Sequence, residues 1–119
     1  MQQLGVDIIE IARIKRAVER WGPAFLERVY TAPELERYGH SIPSLAARFS
    51  GKEAVIKALS SRNVGYKDIE ILSAPGGQPT VKLRGRAQRR ADDIGLSHLA
   101  ISLSHCQEYA VACAAGEVE

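Results

Sequence analysis

At 119 residues, 45% of them apolar, and with a formal net charge of only +2, the chain is read as one compact domain over residues 1–119 with a modest core. No apolar run approaches the roughly 18 residues of a membrane span, and the N-terminus lacks the charged-then-apolar layout of a signal peptide. A cytoplasmic setting is therefore expected. Two cysteines, Cys106 and Cys113, are too few for a disulfide framework and read as small buried apolar residues.

Residues 3 to 11, rich in β-branched side chains, predict a strand. Alternation sets Leu4, Val6 and Ile8 on one face and Gly5, Asp7 and Ile9 on the other. A helix is expected from Ala12 to Trp21, with Ile14, Val18 and Trp21 inward, then a short helix over 23 to 30. Thr31 and Glu34 match a capping box opening a further turn or two up to Tyr38. The longest helical signal spans 45 to 60, capped by Ser44, with Leu45, Phe49, Ile56 and Leu59 on one face. Residues 68 to 84 read as a hairpin turning at Pro75-Gly76-Gly77-Gln78, and 86 to 94 as a basic helix stopped by Gly95. Strands over 98 to 104 and 109 to 115 close the chain. Strands mixed with helices, without βαβ alternation, predict an α+β fold: an antiparallel sheet packed against the long central helix.

Several residues call for a chemical explanation. Asp7 is a carboxylate in an apolar strand, which suits either a helix cap or a metal ligand or base. Glu53 and Lys57 stand at the favourable i,i+4 ion-pair spacing. Lys52 projects onto the apolar stripe between Leu45 and Ile56, and Arg48 lies near Leu59; two cations on the core-facing side predict a bound anion, which a phosphate would satisfy. His105 ends a strand after Ser104, as a phosphate donor or a surface turn residue. Gly77 and Pro79 could admit a ligand ring or simply build the hairpin turn. Arg13, Arg16 and Arg20, at i, i+3 and i+7, form a basic stripe. With Arg84 to Arg90 they favour an acidic partner or a phosphate-rich ligand. Phosphate-binding P-loop, dinucleotide and nucleophile-elbow motifs are all absent, which excludes the folds that need them.

Gly5-Val-Asp7-Ile-Ile-Glu-Ile-Ala-Arg13, the run Arg48-Phe49-Ser-Gly-Lys52-Glu53-Ala54-Val-Ile-Lys57-Ala58, Gly77-Gln-Pro79 and Ile101-Ser-Leu-Ser-His105 together resemble the short bacterial holo-acyl-carrier-protein synthases, which are 4′-phosphopantetheinyl transferases. The resemblance covers nearly the whole chain. It implies transfer of phosphopantetheine from coenzyme A to a serine of an acidic apo acyl carrier protein in fatty acid biosynthesis, releasing adenosine 3′,5′-bisphosphate. By the same resemblance Asp7 and Glu53 match Mg²⁺ ligands, Lys57 matches a lysine near the pyrophosphate, and Glu53 is a candidate base for the serine proton. Arg48, Lys52, Lys57, Gly77, Pro79 and His105 are assigned to coenzyme A, and Arg13, Arg16 and Arg20 to docking the carrier. A homotrimer with sites between subunits is implied as well. The chain departs from the family pattern at Ser60–Gly65, where a Gly-Thr-Gly is usual, at Ser50-Gly51 in place of two alanines, and at Pro23 in place of a basic residue. Two other readings are a nucleic-acid-binding module, disfavoured by 6% aromatics and the weak net charge, and a coenzyme A binder without activity.

Overall fold

The computed structural model describes residues 1–119. Its elements run β1 (Gln2–Glu10), α1 (Ile11–Trp21), α2 (Pro23–Val29), α3 (Ala32–Tyr38), α4 (Ile42–Leu59), a 3₁₀ turn (Tyr66–Asp68), β2 (Ile69–Ser73), β3 (Pro79–Leu83), α5 (Gly85–Ile94), β4 (Leu96–His105) and β5 (Tyr109–Val118). β5 is the middle strand of a three-stranded antiparallel sheet ordered β1-β5-β4, while β2 and β3 form a separate hairpin. The expected α+β class with antiparallel pairing holds.

α4 is the spine of the molecule. It packs against β1, β5, β4, β2, α1, α3 and α5, so it is buried nearly all round rather than along one stripe. Small residues permit this. β5 presents Ala110, Ala112, Ala114 and Gly116 inward, and Gly5 of β1 meets the α4 backbone, where a Cβ would overlap the Ala54 carbonyl oxygen and lie 2.8 Å from the Ala58 nitrogen. Gly51 is likewise closed in, with Ile71 Cδ1 2.6 Å from where its Cβ would be. That explains a glycine inside a helix, which otherwise weakens it.

The local signals are realised with a few shifts. Thr31 and Glu34 form the capping box, and Gly95 ends α5 at φ 73°. In the β2–β3 turn the Gly77 N–H donates to the Ala74 carbonyl at 2.7 Å, and Gly77 takes φ 89°. α4 starts earlier than expected, at Ile42, because Pro43 fits its first turn and Ser41 is the cap: the Ser41 hydroxyl accepts from the Ser44 N–H. Trp21 is not inward. It is 58% exposed, on the last residue of α1 before Gly22 turns the chain, and it lies beside Ala24, Phe25 and Arg28 with the Arg20 guanidinium 5.0 Å from its ring. Nor are the cysteines buried. Cys106 lies in the β4–β5 turn, and Cys113 points outward on β5, opposite in phase to the inward alanines.

Candidate active site

The β1 face that carries Gly5 and Asp7 lies on α4, because only glycine at position 5 lets the helix approach so closely. Opposite Asp7, α4 presents Ser50, Glu53 and Lys57, at i, i+3 and i+7 on one helical stripe. Ser50 Oγ donates to Asp7 Oδ2 at 3.0 Å, and Lys57 Nζ lies 3.3 Å from Asp7 Oδ1. Lys57 also donates to the Val6 carbonyl at 2.9 Å. Asp7 caps no helix: α1 starts at Ile11 with no side-chain cap. One helical turn along, Glu53 accepts from Arg62 Nη1 at 3.2 Å and from the Tyr66 hydroxyl at 2.6 Å. Burial, and then the bond to Glu53, push the Tyr66 phenol up to about 12.

Two carboxylates, one from a strand and one from a helix, thus share a seam. Each faces a cationic side chain, Lys57 or Arg62, and each keeps part of its surface open. Hard oxygen donors in so incomplete a set suit Mg²⁺, which binds one or two carboxylates and completes its shell with phosphate oxygens and water.

Lys52 lies on the core-facing side as expected, but the anion it meets there is not a ligand's. It is 0% exposed, and its ammonium is spent inside the protein: 2.8 Å from Glu34 Oε1, with bonds to the Tyr66 and Ile69 carbonyls at 2.9 and 2.6 Å. The anion required by a lysine on the core-facing side is Glu34, and Lys52 has no donor left for a phosphate. Glu34 is equally occupied, accepting from Thr31 N–H and Ile71 N–H at 2.8 Å each. Burial pulls the Lys52 ammonium below its usual range, and the Glu34 carboxylate works against that pull.

Arg48 belongs to a second group. Its guanidinium stacks 3.6 Å from the centre of the Tyr38 ring and donates from Nη2 to Ser73 Oγ at 3.0 Å, while its Nε is buried without a partner. Burial alone would raise the Tyr38 phenol, but hydrogen bonds from Ser73 and the charge of Arg48 outweigh it and lower the phenol. Ser73 pairs with Pro79 at the base of the hairpin that carries Gly77, so Arg48, Gly77 and Pro79 share one end of the molecule. His105 is exposed at the end of β4, opposite Ala110 and two strands across from β1. Arg13, Arg16 and Arg20 line the exposed side of α1. The structure therefore gathers Asp7, Glu53 and Lys57 and leaves the hairpin residues and His105 apart from them. Tyr66 and Glu34 were not anticipated as site-building residues. Glu34 stood out only as a cap, and a tyrosine in a connecting segment carries no periodic signal.

A family model described as the 4′-phosphopantetheinyl transferase superfamily matches residues 3–114. A holo-[acyl-carrier-protein] synthase of Dehalococcoides mccartyi is 55% identical over 113 residues, covering 94% of this chain and 95% of the relative. One from Ruminiclostridium cellulolyticum is 46% identical, over 93% of this chain and 88% of the relative. Among solved structures, the Helicobacter pylori holo-[acyl-carrier-protein] synthase in complex with coenzyme A superposes with a TM-score of 0.87 at 31% identity, covering 96% of this chain and 99% of that one.

Proposed function

We propose that this chain, which belongs to the 4′-phosphopantetheinyl transferase superfamily, transfers the phosphopantetheine arm of coenzyme A to a serine hydroxyl of an apo acyl carrier protein. The serine oxygen forms the new bond to phosphorus, the bond to adenosine 3′,5′-bisphosphate breaks, and the serine proton leaves the hydroxyl. The nucleophile comes from the partner, which accounts for a site without an activated Ser or Cys. Such a transfer needs positioning and charge neutralisation more than covalent chemistry.

The observation that carries this reading is the seam in which Lys57 pairs with Asp7 at 3.3 Å, while Glu53 stands on the same stripe of α4 between Ser50 and Lys57. Asp7 and Glu53 are the residues that would hold Mg²⁺, which supplies neutralisation of pyrophosphate charge when bound. Lys57, the partner of Asp7, is assigned to a phosphate oxygen, and Glu53 to accepting the serine proton. Arg48, with an unspent buried Nε, is assigned to a phosphate of coenzyme A, with Gly77 and Pro79 beside it and His105 as a further donor. Lys52 drops out of that set because its donors are filled. Arg13, Arg16 and Arg20 form the docking stripe for an acidic carrier.

A homotrimer with sites between copies is part of the same reading. It is supported by the outer face of the three-stranded sheet, where Leu4, Val6 and Ile8 are 66%, 59% and 64% exposed beside Val111 and Cys113. No helix is long and apolar enough to cross a membrane, and a cytoplasmic setting in fatty acid biosynthesis completes the proposal.

Incubated with coenzyme A, Mg²⁺ and an apo carrier, the protein should raise the carrier's mass by one phosphopantetheine group. No mass shift with any of several acidic carriers would sink the assignment. Glu53→Gln should slow transfer by about 10²–10⁴-fold with an unchanged circular dichroism spectrum.

A further inference from the structure

Each oxygen of Glu53 has one partner in the protein, and the two partners differ in kind. Oε1 accepts from Arg62, whose side chain is 73% exposed on the loop after α4. A long exposed side chain gains little by holding an ion pair. Oε2 accepts at 2.6 Å from the Tyr66 hydroxyl in a half-buried contact. Tyr66 itself is fixed at both ends. Its carbonyl accepts from the buried Lys52 ammonium, which is anchored in turn by Glu34, and its ring packs on Phe49 with centroids 5.3 Å apart.

Resting on the transferase reading, we propose that Tyr66 is a positioning residue for Glu53, its hydroxyl holding Oε2 so that the carboxylate presents Oε1 to the metal. Arg62 is then the exchangeable partner, released from Oε1 when the site fills. The chain Glu34–Lys52–Tyr66–Glu53 also gives the buried ion pair a role in the site that it cannot have by direct contact. A group that orients a metal ligand from behind acts on metal affinity, and losing it weakens binding by about 10–100-fold.

The test is titration of wild type and Tyr66→Phe with Mn²⁺, a stand-in of the same octahedral oxygen preference, in the presence of coenzyme A and without carrier. Free Mn²⁺ is read by electron paramagnetic resonance, so no turnover enters the measurement. Phe keeps the ring on Phe49 and the carbonyl on Lys52, and removes only the hydroxyl. Mn²⁺ should bind Tyr66→Phe at least about tenfold more weakly, with kcat reduced and KM for the carrier unchanged. Arg62→Gln should bind Mn²⁺ no more weakly than wild type. Equal Mn²⁺ affinity of wild type and Tyr66→Phe overturns the positioning role and leaves the transferase reading standing. Wild type that binds no Mn²⁺ overturns the metal reading and this inference with it.

Discussion

Replacing Lys52 by Met leaves Glu34 as an uncompensated charge, since both side chains are fully buried and each is the other's ion-pair partner. Breaking such a pair from one side costs about 3–5 kcal/mol, so Lys52→Met should lower stability by that order in urea unfolding. The double variant Lys52→Met/Glu34→Gln should recover part of the loss, because Gln keeps an acceptor oxygen for a backbone N–H while shedding the charge. A second prediction concerns Tyr66, whose phenol is raised from about 10 to about 12. The raised folded-state value means that its contribution is fully present below pH 10 and is lost as pH rises through 12. The stability difference between wild type and Tyr66→Phe should therefore be flat below pH 10 and fall across that interval. A difference that stays constant to pH 12 would contradict the burial of the phenol and its bond to Glu53, which together raise it. Asp7 stood out in the sequence because a carboxylate in an apolar strand is locally odd, whereas Glu53 read locally as the ion-pair partner of Lys57 and was singled out by the family resemblance. The partner of Lys52 did not stand out, because Glu34 sits 18 positions away and has a sufficient local explanation as a cap.

At the scale of elements, α4 and β1 touch backbone to backbone at Gly5. Gly5→Ala forces the helix off the strand, and overpacking of that kind costs about 1–3 kcal/mol. The same shift would separate Asp7 from Lys57 and Glu53, so transfer activity should fall more steeply than stability, as measured by parallel mass-shift and thermal-melt experiments. Most element boundaries were legible because their punctuation is local: the Thr31 capping box, the Pro75–Gln78 turn and Gly95 each act within a few residues. α4 was harder to read. Its periodicity suggested one apolar stripe, yet neighbours on every side bury it, and that is a property of the assembled fold. Trp21 failed for the complementary reason: helical phase placed it inward, but α1 ends there at Gly22 and leaves the ring 58% exposed beside α2.

At the scale of the whole molecule, a sheet with one face on α4 and an apolar outer face is half of a packing arrangement. Ile8→Lys adds a charge to that outer face without touching the inner one. It should convert an assembly into monomers in sedimentation velocity, with circular dichroism unchanged. If sites form between copies, transfer activity should disappear with the assembly, whereas a fully active monomer would confine the site to one chain. β5 makes the division plain. Ala110, Ala112, Ala114 and Gly116 answer to a helix of their own chain, while Val111, Cys113 and Ala115 answer to whatever lies over the sheet. The two alternating sets can change independently during descent. A lineage could thus rework how copies of this protein recognise one another along a strand whose other face keeps α4 seated.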